Sequence, residues 1–220
     1  MADKLSKQEL KEPDKFQVML SRILAYMTEN KKKFYVAGAL FIAVLLIAGG
    51  WLLYDLDMEK SAQNIYARSS YTAPGDSAGA IGIYKEVLEK YPRSRAAVLA
   101  NYRLAGLYYQ QKDFDAAIRH YEAFLQKIPD KSDLKTIAYM GMGHCHEAKK
   151  DFKNALAAFE NATSSKAGDV FAGMNDQNIA RVYEAMNDRA RALEYYQKAL
   201  MKSTDPLAEL LIKRKIATLS

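Results

Sequence analysis

The sequence is poor in the residues and motifs on which most enzyme chemistry depends. Its 220 residues include one cysteine, Cys145, and three histidines. A single cysteine excludes an internal disulfide, and it permits an oxidising compartment without requiring one. The chain has no nucleophile elbow, no phosphate-binding glycine loop and no paired-carboxylate motif. The sequence therefore predicts no enzyme activity and no cofactor.

The densest group of potential metal ligands is His144-Cys145-His146-Glu147. Ligands on one helix face are three or four residues apart, whereas successive residues point about 100° apart. His144 and His146 are therefore expected to diverge, and Cys145 to be a small buried apolar side chain rather than a nucleophile. His120 has no potential partner nearby in the sequence. We predict no metal site and no catalytic residue.

Positive charge is in excess, with 32 Lys and Arg against 26 Asp and Glu, but it is not concentrated in one place. Basic and acidic residues are interspersed along the chain after residue 60. A nucleic-acid-binding surface requires massed positive charge, so the interspersed pattern indicates an ordinary solvated surface. We expect no nucleic-acid partner.

A long apolar segment, Phe34–Tyr54, has no charged side chain in 21 consecutive residues. As a helix it is about 31 Å long, which matches the hydrocarbon core of a bilayer. Lys31–Lys33 precede it, and Trp51 and Tyr54 stand where interfacial aromatic residues are common. Its length and the 33 residues before it exclude a cleaved signal peptide. We predict a retained transmembrane helix over residues 34–54.

The flanking positive charges predict the orientation of this helix. Residues 14–33 contain five Lys and Arg, and residues 55–74 contain two. The flank with more Lys and Arg stays in the cytoplasm. The amino terminus is therefore expected in the cytoplasm, and the rest of the chain on the other side of the membrane.

Two further segments flank the span. Residues 1–33 are expected to form a cytoplasmic segment with an amphipathic helix, because apolar residues recur at helical spacing from Phe16 to Met27. That helix either lies on the anionic inner leaflet or docks on a protein in the membrane plane, and its pattern favours neither. Residues 55–69 contain no proline or glycine, so we predict a helical stalk that merges into the domain that follows.

From residue 61 to residue 220 the chain is repetitive. Four similar segments begin at alanines spaced 37, 38 and 37 residues apart, and an aromatic residue follows each alanine after four positions. The small residue allows two helices to approach closely, and the aromatic side chain fills the gap between neighbouring pairs. Three segments follow a turn signal centred on Asp113, Asp151 or Asp188. The alanine–aromatic pairs are Ala80 and Tyr84, Ala117 and Tyr121, Ala155 and Phe159, and Ala192 and Tyr196.

These segments resemble the tetratricopeptide repeat, which has a small residue in its first helix and the alanine–aromatic pair in its second. Ala105, Gly143 and Ala180 match the small position. The spacing departs by three or four residues from the usual period of about 34. Asp205-Pro206 is expected to cap a last helix, Leu207 to Thr218. The resemblance implies an all-α fold, in which one transmembrane helix precedes a right-handed α-solenoid of about four helix pairs and a C-terminal capping helix.

The order of segments is more specific. A basic amphipathic helix, the Glu29–Lys33 boundary, a span that ends near Trp51, a polar stalk and these repeats together resemble the YfgM-type family. That resemblance implies a bacterial inner-membrane protein, an ancillary subunit of the Sec translocon. Its periplasmic repeats work with a membrane-anchored prolyl isomerase on emerging secretory chains. The alternative is a structural or oligomerising subunit of another envelope complex, such as a cell-division or outer-membrane assembly coordinator, and a homo-oligomer stays open.

The repeat resemblance also implies a partner groove, lined by defined positions of the first helix of each repeat. Arg181 is the only cation among those positions, so a cluster that clamps a terminal carboxylate is not expected. Tyrosine and methionine at several positions favour a groove for an apolar helix or an extended segment. The expected groove residues are Leu99, Tyr102, Tyr109, Gln110, Met140, His144, Glu147, Met174, Gln177, Arg181 and Glu184.

Overall fold

The structure is a computed structural model that describes residues 15–73, 75–130, 132–165 and 167–220. Within these ranges the chain forms ten α-helices and a 3-10 turn at Ser69–Tyr71, and no strand. The predicted all-α fold is confirmed. The helices are α1 (Lys15–Glu29), α2 (Lys31–Arg68), α3 (Ser77–Lys90), α4 (Arg95–Gln110), α5 (Phe114–Lys127), α6 (Asp133–Ala148), α7 (Phe152–Thr163), α8 (Ala172–Ala185), α9 (Arg189–Lys202) and α10 (Pro206–Leu219).

The chain divides into two compact units, with the boundary between Asp57 and Met58. The first contains α1 and most of α2; residues 1–14 of the predicted cytoplasmic segment lie outside the described residues. In the described part, α2 is the helix that is long and apolar enough to cross a membrane, with an 18-residue stretch of mean hydropathy 2.5. Residues 34–54 lie inside it, and their side chains are exposed.

The second unit is a stack of antiparallel helix pairs. Packing is most extensive within the pairs α4–α5, α6–α7 and α8–α9, and α10 packs on α9. At the start of the stack, the last turns of α2 supply Ala62 and Tyr66, which pack with Tyr84 of α3 and Ala97 of α4 in one apolar cluster. This arrangement confirms a solenoid of stacked helix pairs that ends in one further helix, α10.

One turn design repeats between the two helices of a pair. Lys112 has a left-handed backbone, with φ 62°, and its N–H donates to the Tyr109 carbonyl at 3.0 Å. The Asp113 N–H donates to the Tyr108 carbonyl at 3.0 Å. These two bonds end α4 as a Schellman motif. The Asp113 carboxylate then accepts from the Ala116 N–H at 3.0 Å and so starts α5. The same pattern recurs at Lys150-Asp151 and Asn187-Asp188.

The small and aromatic residues meet in the core, as their spacing predicts. Ala155 and Phe159 are fully buried, and the Phe159 ring lies against the backbone of Gly143 in the paired helix. A Cβ atom at Gly143 would stand 2.6 Å from Cε1 of that ring. The corresponding residues of the neighbouring repeats, Ala105 and Ala180, are also fully buried. Close approach of the two helices of a pair therefore depends on a residue no larger than alanine at this position.

Replacing Gly143 by alanine tests this close contact. A helical Gly→Ala change ordinarily gains about 1 kcal/mol, but overpacking against a buried ring costs roughly 1–3 kcal/mol. We expect Gly143→Ala to lower the free energy of unfolding. Gly106→Ala is the matched control, because nothing lies within 4 Å of a Cβ atom there, and it should raise stability. Urea unfolding followed by circular dichroism measures both. Equal stabilisation by the two changes would contradict the packing described.

Candidate functional site

The first helices of three repeats share one surface with α10, which we call the inner face. It is defined by the residues through which α4, α6, α8 and α10 meet: Tyr109 on α4, His144 and Glu147 on α6, Arg181 on α8 and Lys215 on α10. Because every repeat contributes the same helix position, side chains 37 or 38 residues apart in sequence lie next to one another. Equivalent positions of successive repeats therefore build one continuous surface.

The predicted groove residues divide among several depressions of this surface. Tyr109, His144, Glu147 and Arg181 line one of about 540 Å³. Arg181 also reaches a second, of about 450 Å³, that is shared with α10. The remaining members lie as follows: Tyr102 and Gln110 line a third depression beside α3 and α5, Gln177 lines the second, Met174 lies exposed beside α10, Glu184 pairs with Lys215, and Leu99 is half-exposed.

Met140 does not lie on the inner face. It is 5% exposed and packs in the core with Phe159 and Val182. Tyr102 is half-buried, and its ring packs on Phe124 and Tyr121 at centroid distances of 5.3 and 6.0 Å. Two of the aromatic and thioether side chains expected to line an apolar groove thus serve the core instead.

A two-pronged ion pair between neighbouring repeats occupies the middle of the inner face. Arg181 Nε donates to Glu147 Oε1 at 2.6 Å, and Nη2 donates to Oε2 at 2.7 Å. A third nitrogen, Nη1, donates to Asn178 Oδ1 at 3.2 Å. This planar fork is the strongest arrangement that a guanidinium and a carboxylate can make. It holds α8 in a fixed position on α6.

His144 stands beside this ion pair. Its imidazole Nδ1 lies 3.1 Å from Arg181 Nη2 and 3.5 Å from Glu147 Oε2. His144 is therefore part of the ion-pair cluster on the inner face.

A second pair links α8 to α10. Lys215 Nζ donates to both oxygens of Glu184, at 2.7 and 3.0 Å, and the Tyr196 hydroxyl donates to Oε2 at 2.8 Å. Burial raises the pKa of Glu184, but the hydrogen bonds from Lys215 and Tyr196 outweigh it and lower the pKa overall. Helices α6 and α8 thus each carry a glutamate that forms an ion pair with a cation of the next helix along the inner face.

The cleft between α8 and α10 holds a cluster of cations. Arg181, Arg214 and Lys215 line the same depression of about 450 Å³, together with Leu211. Arg181 and Lys215 are paired, whereas Arg214 makes no ion pair within the part of the chain that the structure describes. The predicted groove residues do not include Arg214 and Lys215, because that prediction covers only the first helix of each repeat. The available signal was the run Lys213-Arg214-Lys215, which directly follows the leucines of the last helix.

The remaining candidates for chemistry are packed away. Cys145 is fully buried, and burial raises the pKa of its thiol to about 12. A thiol with so high a pKa is a poor nucleophile. Among the residues that the structure describes, no three His, Cys, Asp or Glu side chains converge to hold a metal ion. The inner face has the means to bind a polypeptide through charge, aromatic rings and leucines.

The stack of helix pairs and the exposed inner face define a tetratricopeptide-type repeat protein, a class that serves as a scaffold for protein–protein contacts. The chain belongs to the tetratricopeptide repeat-like domain family, whose sequence profile matches residues 25–220. This family is an interaction fold, and no catalytic family is indicated.

Solved structures of MamA proteins share this fold. A crystal structure of MamA protein superposes with a TM-score of 0.56 at 19% identity, covering 74% of this chain and 86% of that one. MamA from Desulfovibrio magneticus RS-1 gives a TM-score of 0.55 at 18% identity, with 70% and 76% covered. At such identities the likeness establishes the fold alone. No protein with a curated description matches the chain significantly.

The pKa of Glu147 predicts an acid-sensitive inner face. Burial raises this pKa, but hydrogen bonds from Arg181 outweigh it and lower the pKa from 4.5 to about 2. Because the pKa of Glu147 is lower in the folded state than in the unfolded state, its ionised carboxylate stabilises the fold above pH 4.5. This stabilisation is lost as the pH falls towards 2. Glu147→Gln should therefore cost about 2 kcal/mol at pH 7 and flatten the loss of stability below pH 4.5. Urea unfolding at a series of pH values measures this. Glu122→Gln, at an exposed position on α5, is the control and should keep the steep acid limb.

Proposed function

We propose that this chain is a single-span membrane adaptor, whose repeats bind a partner or client polypeptide. Residues 34–54 are the membrane anchor, residues 55–69 the stalk and residues 61–220 the binding domain. The observation that carries the proposal is that one chain joins a helix apolar enough to span a bilayer to a solenoid whose inner face remains open to solvent. A free interaction surface tied to a membrane suits the recruitment of other proteins to that membrane.

The repeats are proposed to lie in the periplasm and the amino terminus in the cytoplasm. The excess of Lys and Arg in residues 14–33 over residues 55–74 supports this orientation. The order of amphipathic helix, span, stalk and repeats supports a place beside the Sec translocon of a bacterial inner membrane. The partners would be the translocon, a membrane-anchored prolyl isomerase or the emerging secretory chains.

The inner face indicates what the bound segment carries. Its centre is occupied by the Arg181–Glu147 pair and is therefore polar rather than apolar. Towards α10, the exposed side chains include Leu211, Met174 and Arg214, a cation that makes no ion pair with the residues that the structure describes. A segment with apolar side chains and at least one carboxylate complements this end of the surface. We therefore propose an acidic, partly apolar segment as the ligand of the repeats.

Cysteine accessibility tests the orientation. Glu29 on α1 and Lys153 on α7 are exposed, and the native Cys145 is buried. In a Cys145→Ala background, a membrane-impermeant maleimide should label Lys153→Cys in intact spheroplasts. The same reagent should label Glu29→Cys only after the membrane is permeabilised. Labelling in the opposite order would overturn the proposed orientation, and labelling of both positions in intact spheroplasts would overturn the span.

In-cell photo-crosslinking tests the partner. Tyr109 is 40% exposed on the inner face, and Glu122 on α5 is an exposed control position of the second helix of a pair. A photoreactive residue at Tyr109 should capture translocon subunits, the isomerase or secretory chains, and the same residue at Glu122 should not. Equal capture from both positions, or none of these partners from Tyr109, would remove the Sec assignment.

The second candidate function is an oligomerising subunit of another envelope complex, and one observation favours it. Helix α10 exposes Leu207 and Leu210 at 64% each, at the end of the stack, where a further repeat of a solenoid would pack. Terminal repeats usually present a polar outer face. A crosslink from Leu210 to a second copy, with a multimeric mass in mild detergent, would favour this reading over the adaptor.

A further inference from the structure

Helix α1 carries an apolar face that the structure leaves uncovered. Met19, Leu20, Ile23, Leu24 and Met27 recur every three or four residues and share one side of the helix. They are 38–55% exposed, and no residue of α1 is buried. Such a continuous apolar stripe on a short helix requires a covering surface.

The other sides of α1 are polar and basic. Ser21 and Thr28 lie opposite the stripe, and their hydroxyls donate to the helix's own carbonyls at 2.9 and 2.8 Å. Lys15 and Arg22 lie at one border of the stripe. From residue 15 to residue 33 the sequence has five Lys and Arg and one acidic residue, a net charge of +4 by subtraction. The apolar face is therefore bordered by positive charge.

The position of α1 relative to the apolar part of α2 is fixed by a single connecting residue. Asn30 alone separates the two helices; its N–H donates to the Tyr26 carbonyl at 3.0 Å, and its carbonyl accepts from Phe34 at 3.2 Å. The rings of Tyr26 and Phe34 meet edge to face at 6.1 Å. Eight residues of straight helix would separate them by about 12 Å along the axis. The ring contact therefore ties the last turn of α1 to Phe34, where the apolar segment begins.

We propose that α1 binds an anionic lipid surface, with its apolar stripe among the upper acyl chains and its cations among the phosphates. This inference rests on the proposed function only in taking α2 as a membrane span. If α2 spans, the last turn of α1 is held within a few residues of the head groups, so a lipid surface is always within reach. A protein neighbour would also cover the stripe, but the border of Lys15, Arg22 and Lys31–Lys33 is what anionic head groups attract.

Depth measurement on the full chain tests this. The Cys145→Ala protein is placed in lipid-only nanodiscs that contain phosphatidylglycerol, and single spin labels are scanned along α1. Accessibility to a membrane-soluble relaxation agent should oscillate with a period of about 3.6 residues. The maxima should fall at Leu20, Ile23, Leu24 and Met27, and the minima at Ser21 and Thr28. A label at Leu45, inside α2, is the internal reference for a buried position.

Charge variants separate anionic lipid from lipid in general. In phosphatidylglycerol discs, the double change Lys15→Glu and Arg22→Glu should shift the α1 labels towards water. For the protein without these changes, discs of phosphatidylcholine should cause the same shift. The control pair of changes Lys153→Glu and Lys213→Glu, at exposed positions of the repeats, makes the same total change of charge and should leave the α1 profile unchanged. High salt should act like the double variant, because the Debye length falls to about 3 Å at 1 M.

Four outcomes decide the matter. An oscillating profile that needs phosphatidylglycerol and the two cations supports the proposal. Water-like values along α1 with Leu45 deep would overturn it, and would indicate a protein as the cover of the stripe. A profile that is the same in phosphatidylcholine and in the double variant would overturn the assignment to anionic lipid. A water-like Leu45 would instead show that the proposed membrane anchor fails, so the two failures are distinguishable.

Discussion

The repeat unit depends on one constraint, the distance at which the two helices of a pair can pack. Fully buried small residues, Ala105, Gly143 and Ala180 on the first helices and Ala155 on a second, set that distance, and an aromatic ring one turn later fills the space that remains. A single helix pair cannot bury its apolar face, so the pairs must stack to form a core. The inner face is a consequence of this stacking, which brings equivalent side chains of neighbouring repeats side by side.

On the inner face, side chains of opposite charge occupy neighbouring positions and form ion pairs. Arg181 of α8 reaches back to Glu147 of α6, and Lys215 of α10 reaches back to Glu184 of α8. In each case a cation bonds to the glutamate of the preceding helix, so the pairs stiffen the surface and also occupy part of its binding capacity. The centre of the inner face is therefore largely neutralised, whereas Arg214, towards α10, makes no ion pair among the described residues.

Sequence reasoning could predict the parts of this protein that repeat. The alanine and aromatic spacing predicts the helix pairs, and the aspartates at 113, 151 and 188 predict the helix starts, because a capping interaction is local to three residues. The side chains that line the inner face were harder to predict. Met140 and His144 are one turn apart, yet Met140 is buried and His144 is half-exposed. A small error in the rotation of a helix about its axis therefore decides whether a residue is assigned to the core or to the surface. Lys215 lies 31 residues from Glu184, and only the stacked fold brings them together.

The burial of Cys145 limits the thiol chemistry of the folded protein. It is the only cysteine of the chain, and its sulfur is enclosed between repeats with a thiol pKa of about 12. Mixed disulfides with glutathione or with a thiol oxidase require an accessible thiolate. While the protein is folded, its thiol is therefore closed to mixed-disulfide formation.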